Sequence, residues 1–110
     1  MEAVGLFTVY VLACSEGKFY VGRTSNLEAQ PVDHFRGEGF AWIRRYPPLE
    51  VLETHEGCDA YDEHKYTKLW MAKKGIENVR GGSYNQLELE AETVAFLEKE
   101  IAMAQDSCIL

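Results

Sequence analysis

The sequence predicts an α+β domain in which a small, three-stranded, mainly antiparallel sheet is flanked by helices. Two runs rich in β-branched and aromatic residues come first, FTVYVLAC (7–14) and KFYVGRT (18–24). A third run, LEVLETHE (49–56), alternates apolar and acidic residues with the period of a half-buried strand. Helical patterns at 59–74 and 87–105 complete the order of elements. A chain of 110 residues is long enough to form one such core.

The first two strands are expected to form a hairpin, because only the polar stretch SEGK separates them and Gly17 suits its turn. Residues 26–37 then have the pattern of a helix that begins after Ser25 or Asn26 and ends at Gly37. An aromatic and basic stretch, GFAWIRRYPP, follows and ends at two prolines just before the third strand.

The helix at 59–74 has clear signals at both ends. Asp59 and Asp62 have the spacing of a capping box, two lysines complement the helix dipole in the last turn, and Gly75 ends the helix. Residues 76–84 are predicted to form a turn-rich loop with paired glycines. The last helix is amphipathic, and its apolar face carries Val94, Leu97, Ile101 and Ala104.

Charge is distributed unevenly along the chain. The net charge is −7, but residues 85–110 carry six acidic residues and one basic residue, whereas residues 1–84 carry twelve and ten. The main body is therefore nearly balanced, and it can present a local basic face to nucleic acid. The candidates for that face are Arg23, Arg36, Arg44, Arg45 and Arg80.

Cysteine usage and hydropathy indicate an intracellular protein, cytoplasmic or nuclear. The three cysteines are odd in number and form no CxxC pair, which argues against a disulfide framework or a zinc site. No apolar run has the length of a transmembrane helix, and the N-terminus lacks the basic region of a secretory signal. No membrane interaction is therefore expected.

Four features could carry chemistry, and each also has a structural explanation. Tyr10 and Tyr20 lie in the hairpin strands, where tyrosines usually serve packing. His34 lies in the helix after the hairpin, where a lone histidine is more often a surface or packing residue. Glu63 lies on the inward face of its helix, where a carboxylate needs a charged partner or a cation. An acidic residue in the first turn of a helix also interacts favourably with the helix dipole. In ENVRGGSY, the glycines and Arg80 could cradle a phosphate or simply form a turn.

In this order, the residues resemble the GIY-YIG nuclease family. Thr8-Val9-Tyr10 matches the first motif and Tyr20-Val21-Gly22 the second, followed by a histidine, a glutamate and an asparagine in the expected elements. The similarity extends from Phe7 to Tyr84. It implies a GIY-YIG nuclease-like domain over residues 1–84, with 85–110 as an acidic amphipathic helix packed on that domain or extending it.

The resemblance implies metal-dependent cleavage of a DNA phosphodiester bond. Tyr10 would be the base, or part of the relay, that deprotonates water, and Tyr20 would help to position the water or the phosphate. Glu63 would hold a single Mg²⁺ (or Mn²⁺) ion. His34 would hydrogen-bond the water or a phosphate oxygen, and Asn78 would support the site.

The chain departs from the family's pattern in the helix after YVG. The family has an arginine one turn before the histidine, and that position is Gln30 here, which offers two neutral donors instead of a charged guanidinium. Pro31 follows it. If the helix begins at Asn26, this proline costs about 3 kcal/mol. If residues 26–30 form a turn and the helix begins at Pro31, the proline is well placed, and we favour this second interpretation.

Three functional interpretations follow. The first is a metal-dependent DNA endonuclease whose catalysis is impaired because Gln30 replaces the family's arginine. The second is a catalytically inactive module of the same fold that binds nucleic acid or a protein partner. The third is an altered copy of a working enzyme into which the Gln-Pro pair was introduced. The last helix could close the core, or it could pair with a protein partner or with a second copy as a homodimer.

Overall fold

A computed structural model describes residues 7–24, 41–84 and 86–109, and the side chains of the last helix up to Ala104. Its elements confirm the α+β class. They are, in chain order, β1 (Phe7–Cys14), β2 (Lys18–Thr24), α1 (Ala41–Arg45), β3 (Pro48–Cys58), α2 (Asp62–Lys74), β4 (Val79–Gly81) and α3 (Ala91–Ile109). Short 3₁₀ turns lie at Ser15–Gly17 and Ile76–Asn78. The predicted helix at 26–37 lies outside the described residues.

The hairpin has the predicted bounds in both strands. β1 and β2 pair antiparallel without a register shift from Thr8–Thr24 to Cys14–Lys18. The turn between them needs positive φ at Glu16 (61°) and Gly17 (73°). β3 pairs antiparallel with the other side of β1, with three register shifts, and is longer than the predicted strand at both ends. β3 is an outer strand of the described sheet.

The predicted number of strands was wrong, because the sheet has four strands in the order β3-β1-β2-β4. β4 lies in the segment predicted as loop and pairs parallel to β2, with Tyr20 opposite Arg80. Its Gly81 has a packing reason. A Cβ on Gly81 would overlap the carbonyl of Val21 and would lie 2.6 Å from Thr67 Oγ1 on α2. Glycine at this position therefore lets β4 approach both β2 and α2 closely.

The ends of α2 follow the predicted chemistry. The Asp59 N–H donates to Asp62 Oδ2 (2.9 Å) and the Asp62 N–H donates to Asp59 Oδ1 (3.2 Å), which is a reciprocal capping box. Gly75 ends the helix with φ of +100°, and its N–H donates to the Met71 carbonyl. α3 begins later than predicted, at Ala91. The preceding backbone instead supplies the carbonyls of Gln86 and Leu87 to the Arg80 side chain.

The sheet has two packed faces, named here by the helix that covers them. On the α2 face, α2 packs against the strands and α3 packs against α2. The buried residues of this face are Val9, Val11, Val21, Cys58, Trp70, Met71, Val79 and Leu97. On the α1 face, the buried residues are Tyr10, Leu12, Cys14, Tyr20, Trp42 and Ile43. Helices in the described part of the chain are all too short or too polar to cross a bilayer.

Candidate functional site

The two motif tyrosines are both buried on the α1 face, at diagonal positions of β1 and β2. Tyr10 is paired with Gly22 across the hairpin, and Leu12 with Tyr20. The Tyr10 phenol ring lies against Gly22, where an added Cβ would overlap it. The glycine of the second motif is therefore required by the tyrosine of the first, because no larger residue leaves room for the ring.

Glu63 lies on the α2 face, in the first turn of α2. It is beside Arg23, at the end of the sheet where β2 ends. Its side chain is 14% exposed, and its Oε1 is 3.7 Å from Nε of Arg23, near the end of β2. The Arg23 guanidinium also lies over the Phe7 ring, 4.7 Å from the centroid. Burial raises the pKa of the Glu63 carboxyl above its ordinary value, although Arg23, His64 and the Gly82 amide oppose this shift.

The loop after β4 contacts the first turn of α2 through two consecutive residues, an arrangement that we call the Gly82–Ser83 clasp. The Gly82 amide lies near the Glu63 carboxylate and favours its ionised form. The Ser83 N–H donates to His64 Nε2 (3.3 Å), and the Ser83 hydroxyl oxygen is 3.0 Å from the same nitrogen. Because an amide can only donate, His64 Nε2 accepts, and in the neutral ring the proton is on Nδ1.

The contacts of this loop show which partners the amides of the paired glycines have. Of the two glycine amides predicted to cradle a phosphate, that of Gly81 donates to the Tyr84 carbonyl (2.9 Å), and that of Gly82 lies near the Glu63 carboxylate. Gly82 has φ of +57°, and a Cβ there would lie 3.1 Å from the His64 ring. Sequence reasoning missed His64, and the available signal was its position directly after the candidate metal ligand.

Asn78 and Arg80 lie away from Glu63. Asn78 Nδ2 donates to the Lys74 carbonyl at the far end of α2, about 15 Å along the helix from Glu63, and its Oδ1 accepts from Lys18 Nζ. Arg80 is 4% exposed and stacks on Trp42, with its guanidinium carbon 4.4 Å from the ring centroid. Arg80 is therefore not part of an exposed basic face.

The Arg80 side chain binds backbone carbonyls. It donates at 2.7 to 3.2 Å to the carbonyls of Ile76, Val79, Gln86 and Leu87. Burial lowers the pKa of its guanidinium, opposed by Tyr46 and Glu77. Arg80 thus joins β4 to the turn before it and to the segment that leads into α3.

The other arginines of the predicted basic face are spread over the molecule. Arg23 lies at the Glu63 end of the sheet. Arg44 and Arg45 are exposed on α1, and Arg45 Nη1 is 3.5 Å from Glu16 Oε2 in the hairpin turn at the other end. Glu16 and Arg23 are separated by the length of β2, about 20 Å. In the part of the chain that the structure describes, these arginines do not form one continuous stripe.

Gln30, Pro31, His34 and Arg36 lie outside the described residues, so their predicted roles stay predictions. Within residues 7–24, 41–84 and 86–109, no three or more His, Cys, Asp or Glu side chains are grouped so that they could hold a metal ion. Among the described residues, Glu63 is therefore not part of a group of three or more such side chains.

Several proteins of bacteria and archaea are similar in sequence. A UPF0213 protein of Natronomonas pharaonis is 34% identical over 70 residues, which cover 60% of this chain and 82% of that protein. One of Bacillus pumilus is 34% identical over 70 residues, covering 59% and 69%. One of Xanthomonas campestris is 40% identical over 55 residues, covering 50% and 54%, so the chain spans about half the length of that relative. No family model and no solved structure matches the chain.

Proposed function

The chain belongs to the UPF0213 family, and from this premise we propose that it is a metal-dependent endonuclease of the GIY-YIG type that hydrolyses DNA phosphodiester bonds. The observation that carries the proposal is the Glu63 carboxylate, partly buried at the end of the sheet where the motif strand β2 and the parallel strand β4 both end. The two motif tyrosines lie on the same face of the sheet, at diagonal positions of β1 and β2.

The environment of Glu63 suits a hard divalent cation. Its ionised form is disfavoured by burial, and a cation would offset this cost. Mg²⁺ is commonly bound by one or two carboxylates together with waters and substrate phosphate oxygens, so one glutamate is a sufficient protein ligand. Zinc needs three or four nitrogen, sulfur or carboxylate ligands, a larger set than the described residues offer here. A single Mg²⁺ or Mn²⁺ ion held by Glu63 would neutralise charge on the phosphate.

The chain's own residues would have distinct tasks. Arg23, half-exposed beside Glu63, can pair with a phosphate through its guanidinium. Tyr10 would act as the base or as part of the proton relay. Its ordinary pKa near 10 requires nearby positive charge to lower it. Tyr20 would help to position the water or the phosphate. His34 would contact the phosphate, and Gln30 would leave the transition state without one charge partner, which typically reduces the rate by about a hundredfold or more.

A second candidate function is a catalytically inactive module that binds nucleic acid or a protein. Two observations favour it. Tyr10 and Tyr20 belong to the α1 face, whereas Glu63 belongs to the α2 face, and Glu63 already lies beside Arg23 and near the Gly82 amide. In this function, the site residues would stabilise the fold. Catalysis would be absent because Gln30 occupies the position of the family's arginine.

The test is nicking of supercoiled plasmid and of branched DNA by the purified chain with Mg²⁺ or Mn²⁺. Glu63→Ala is expected to abolish nicking, whereas Glu56→Ala, which removes an exposed glutamate of β3, is expected to leave it unchanged. Gln30→Arg is expected to raise the rate. Equal nicking by the parent and Glu63→Ala would reject the proposed metal site. If neither the parent nor Gln30→Arg cuts any substrate, the binding-module function replaces the nuclease.

A further inference from the structure

Helix α3 has an apolar stripe on its outer side as well as on its inner side. The inner stripe packs on the core through Leu97, which is fully buried, and Ile101. On the outer side, Phe96 is 59% exposed and Met103 is 60% exposed. These two residues and Lys99 between them follow the four-three spacing of a helix-packing seam. Two large apolar side chains on one exposed seam indicate a contact surface.

A groove between α2 and α3 runs beside this seam and has a volume of about 370 Å³. Leu69, Ala72, Ile101 and Ala104 supply its apolar walls, and Leu69 is itself exposed. The charged residues that line it are Lys65, Lys68, Lys73 and Glu100. The groove thus has an apolar floor and a mainly basic rim.

The contacts of the rim leave positive charge available. Lys65 and Lys73 lie over the rings of Tyr66 and Trp70, 5.5 and 5.0 Å from the centroids. Lys68 Nζ is 2.9 Å from Glu100 Oε1. This is an ion pair by distance, but its angles are not those of a hydrogen bond, and within the described structure this buried oxygen has no hydrogen-bond donor.

We propose that this face binds a second copy of the chain, with the two α3 helices packed antiparallel about a two-fold axis near residues 99 and 100. In that arrangement, Phe96 of one copy faces Met103 of the other. Lys99 faces Glu100, whose Oε1 is paired with Lys68 of its own copy while its side chain is still 41% exposed. Every member of the seam therefore meets a complementary residue, as a symmetric interface requires.

The charges of the groove also favour a second copy of the chain as its occupant. Residues 85–110 carry six acidic residues and one basic residue, so the second copy brings an acidic helix to the lysine rim of the groove. The acidic character of this helix disfavours nucleic acid on the same face. The inference concerns the α2–α3 side of the molecule and does not depend on the nuclease proposal.

The first test is sedimentation velocity of the full chain over a range of concentrations. The parent is expected to show a reversible dimer. Phe96→Glu and Met103→Glu are each expected to weaken dimerisation by about tenfold or more, because an apolar contact is lost twice in a two-fold interface. Tyr61→Glu is the matched control, since Tyr61 is 82% exposed at the start of α2 and should leave the dimer intact. Circular dichroism of each variant verifies that it is folded.

A second test locates the axis. Lys99→Cys, made with Cys108→Ser, is expected to form an intermolecular disulfide under mild oxidation, whereas Tyr61→Cys in the same background is not. A parent that is monomeric at all concentrations would overturn the proposal. This holds even if the groove of the monomer binds an unrelated acidic peptide, because the occupant would then not be a second copy. A dimer that survives Phe96→Glu unchanged, or that crosslinks at Tyr61→Cys and not at Lys99→Cys, would also overturn it.

Discussion

Each face of the sheet holds one charged side chain with little exposure to water, Arg80 buried on the α1 face and Glu63 partly buried on the α2 face, and the two differ in their hydrogen-bond partners. On the α1 face, the Arg80 guanidinium donates to four backbone carbonyls and stacks on Trp42. On the α2 face, the Glu63 carboxylate has an arginine at 3.7 Å and one amide. A buried ion with nearly all of its hydrogen-bonding capacity used serves the fold, whereas one with capacity left over can still take a ligand. This difference separates a structural charge from a candidate site.

The largest expected effect on stability is that of replacing Arg80, the buried charge of the α1 face. Arg80→Ala leaves several carbonyls without their donor, and we expect the free energy of unfolding to fall by about 3–5 kcal/mol. Urea denaturation measures this. Arg80→Lys keeps the charge but loses the planar fork, so it should lie between the parent and the alanine variant. A loss below about 1 kcal/mol for Arg80→Ala would mean that the carbonyls find other donors easily.

The second effect concerns Tyr10, also on the α1 face. Gly22→Ala places a methyl group where the Tyr10 ring lies, and overpacking of this kind costs about 1–3 kcal/mol. Adding Tyr10→Ala to Gly22→Ala removes the clash, so a double-mutant cycle should show favourable coupling between the two changes. Additive effects would show that the ring does not depend on the glycine.

The third effect concerns the clasp on the α2 face. Gly82→Ala combines a left-handed backbone with a close His64 ring, whereas Gly57→Ala has a similar φ of +73° and open space around it. Both substitutions should destabilise by about 1–2 kcal/mol through the backbone, and Gly82→Ala should cost more. Thermal unfolding of both variants isolates the contribution of the ring. If the excess at Gly82 persists in a His64→Ala background, the ring is not its cause.

The smallest effect is the pH dependence contributed by Glu63. As pH rises above the ordinary glutamate value, the unfolded chain ionises first, while the raised pKa in the folded state holds the proton. The parent should therefore lose stability relative to Glu63→Gln as pH rises through this window, and the difference should then level off. Denaturation at pH 4 and pH 7 measures this, with Glu56→Gln as the control.

The same variant pair tests the proposed metal ligand without an activity assay. At pH 7, added Mg²⁺ should raise the melting temperature of the parent more than that of Glu63→Gln, because only the carboxylate binds the ion well. Equal shifts in both proteins would argue against metal binding at Glu63.

The hairpin could be predicted from local sequence, because its β-branched and aromatic runs and Gly17 determine both strands and the turn. β4 could not, because three residues give no periodic signal and its strand character comes from parallel pairing with β2, distant in the chain. For the same reason, the sequence identified Arg80 as a basic residue but not as a buried one. Its acceptors lie in residues 76–87, whose positions depend on the fold. Glu63 was identified as a candidate, but its partners Arg23 and Gly82 come from other elements.

The outer strand β3 has a further consequence for how the molecule avoids aggregation. Its three register shifts interrupt the regular ladder, and it carries acidic residues at Glu50, Glu53 and Glu56. A strand from another molecule would meet an irregular, negatively charged edge, which is the kind of protection that natural sheets use against edge-to-edge growth. Substituting threonine for the exposed Glu50 and Glu56 would remove part of this repulsion and would keep the contact between Glu53 and His55.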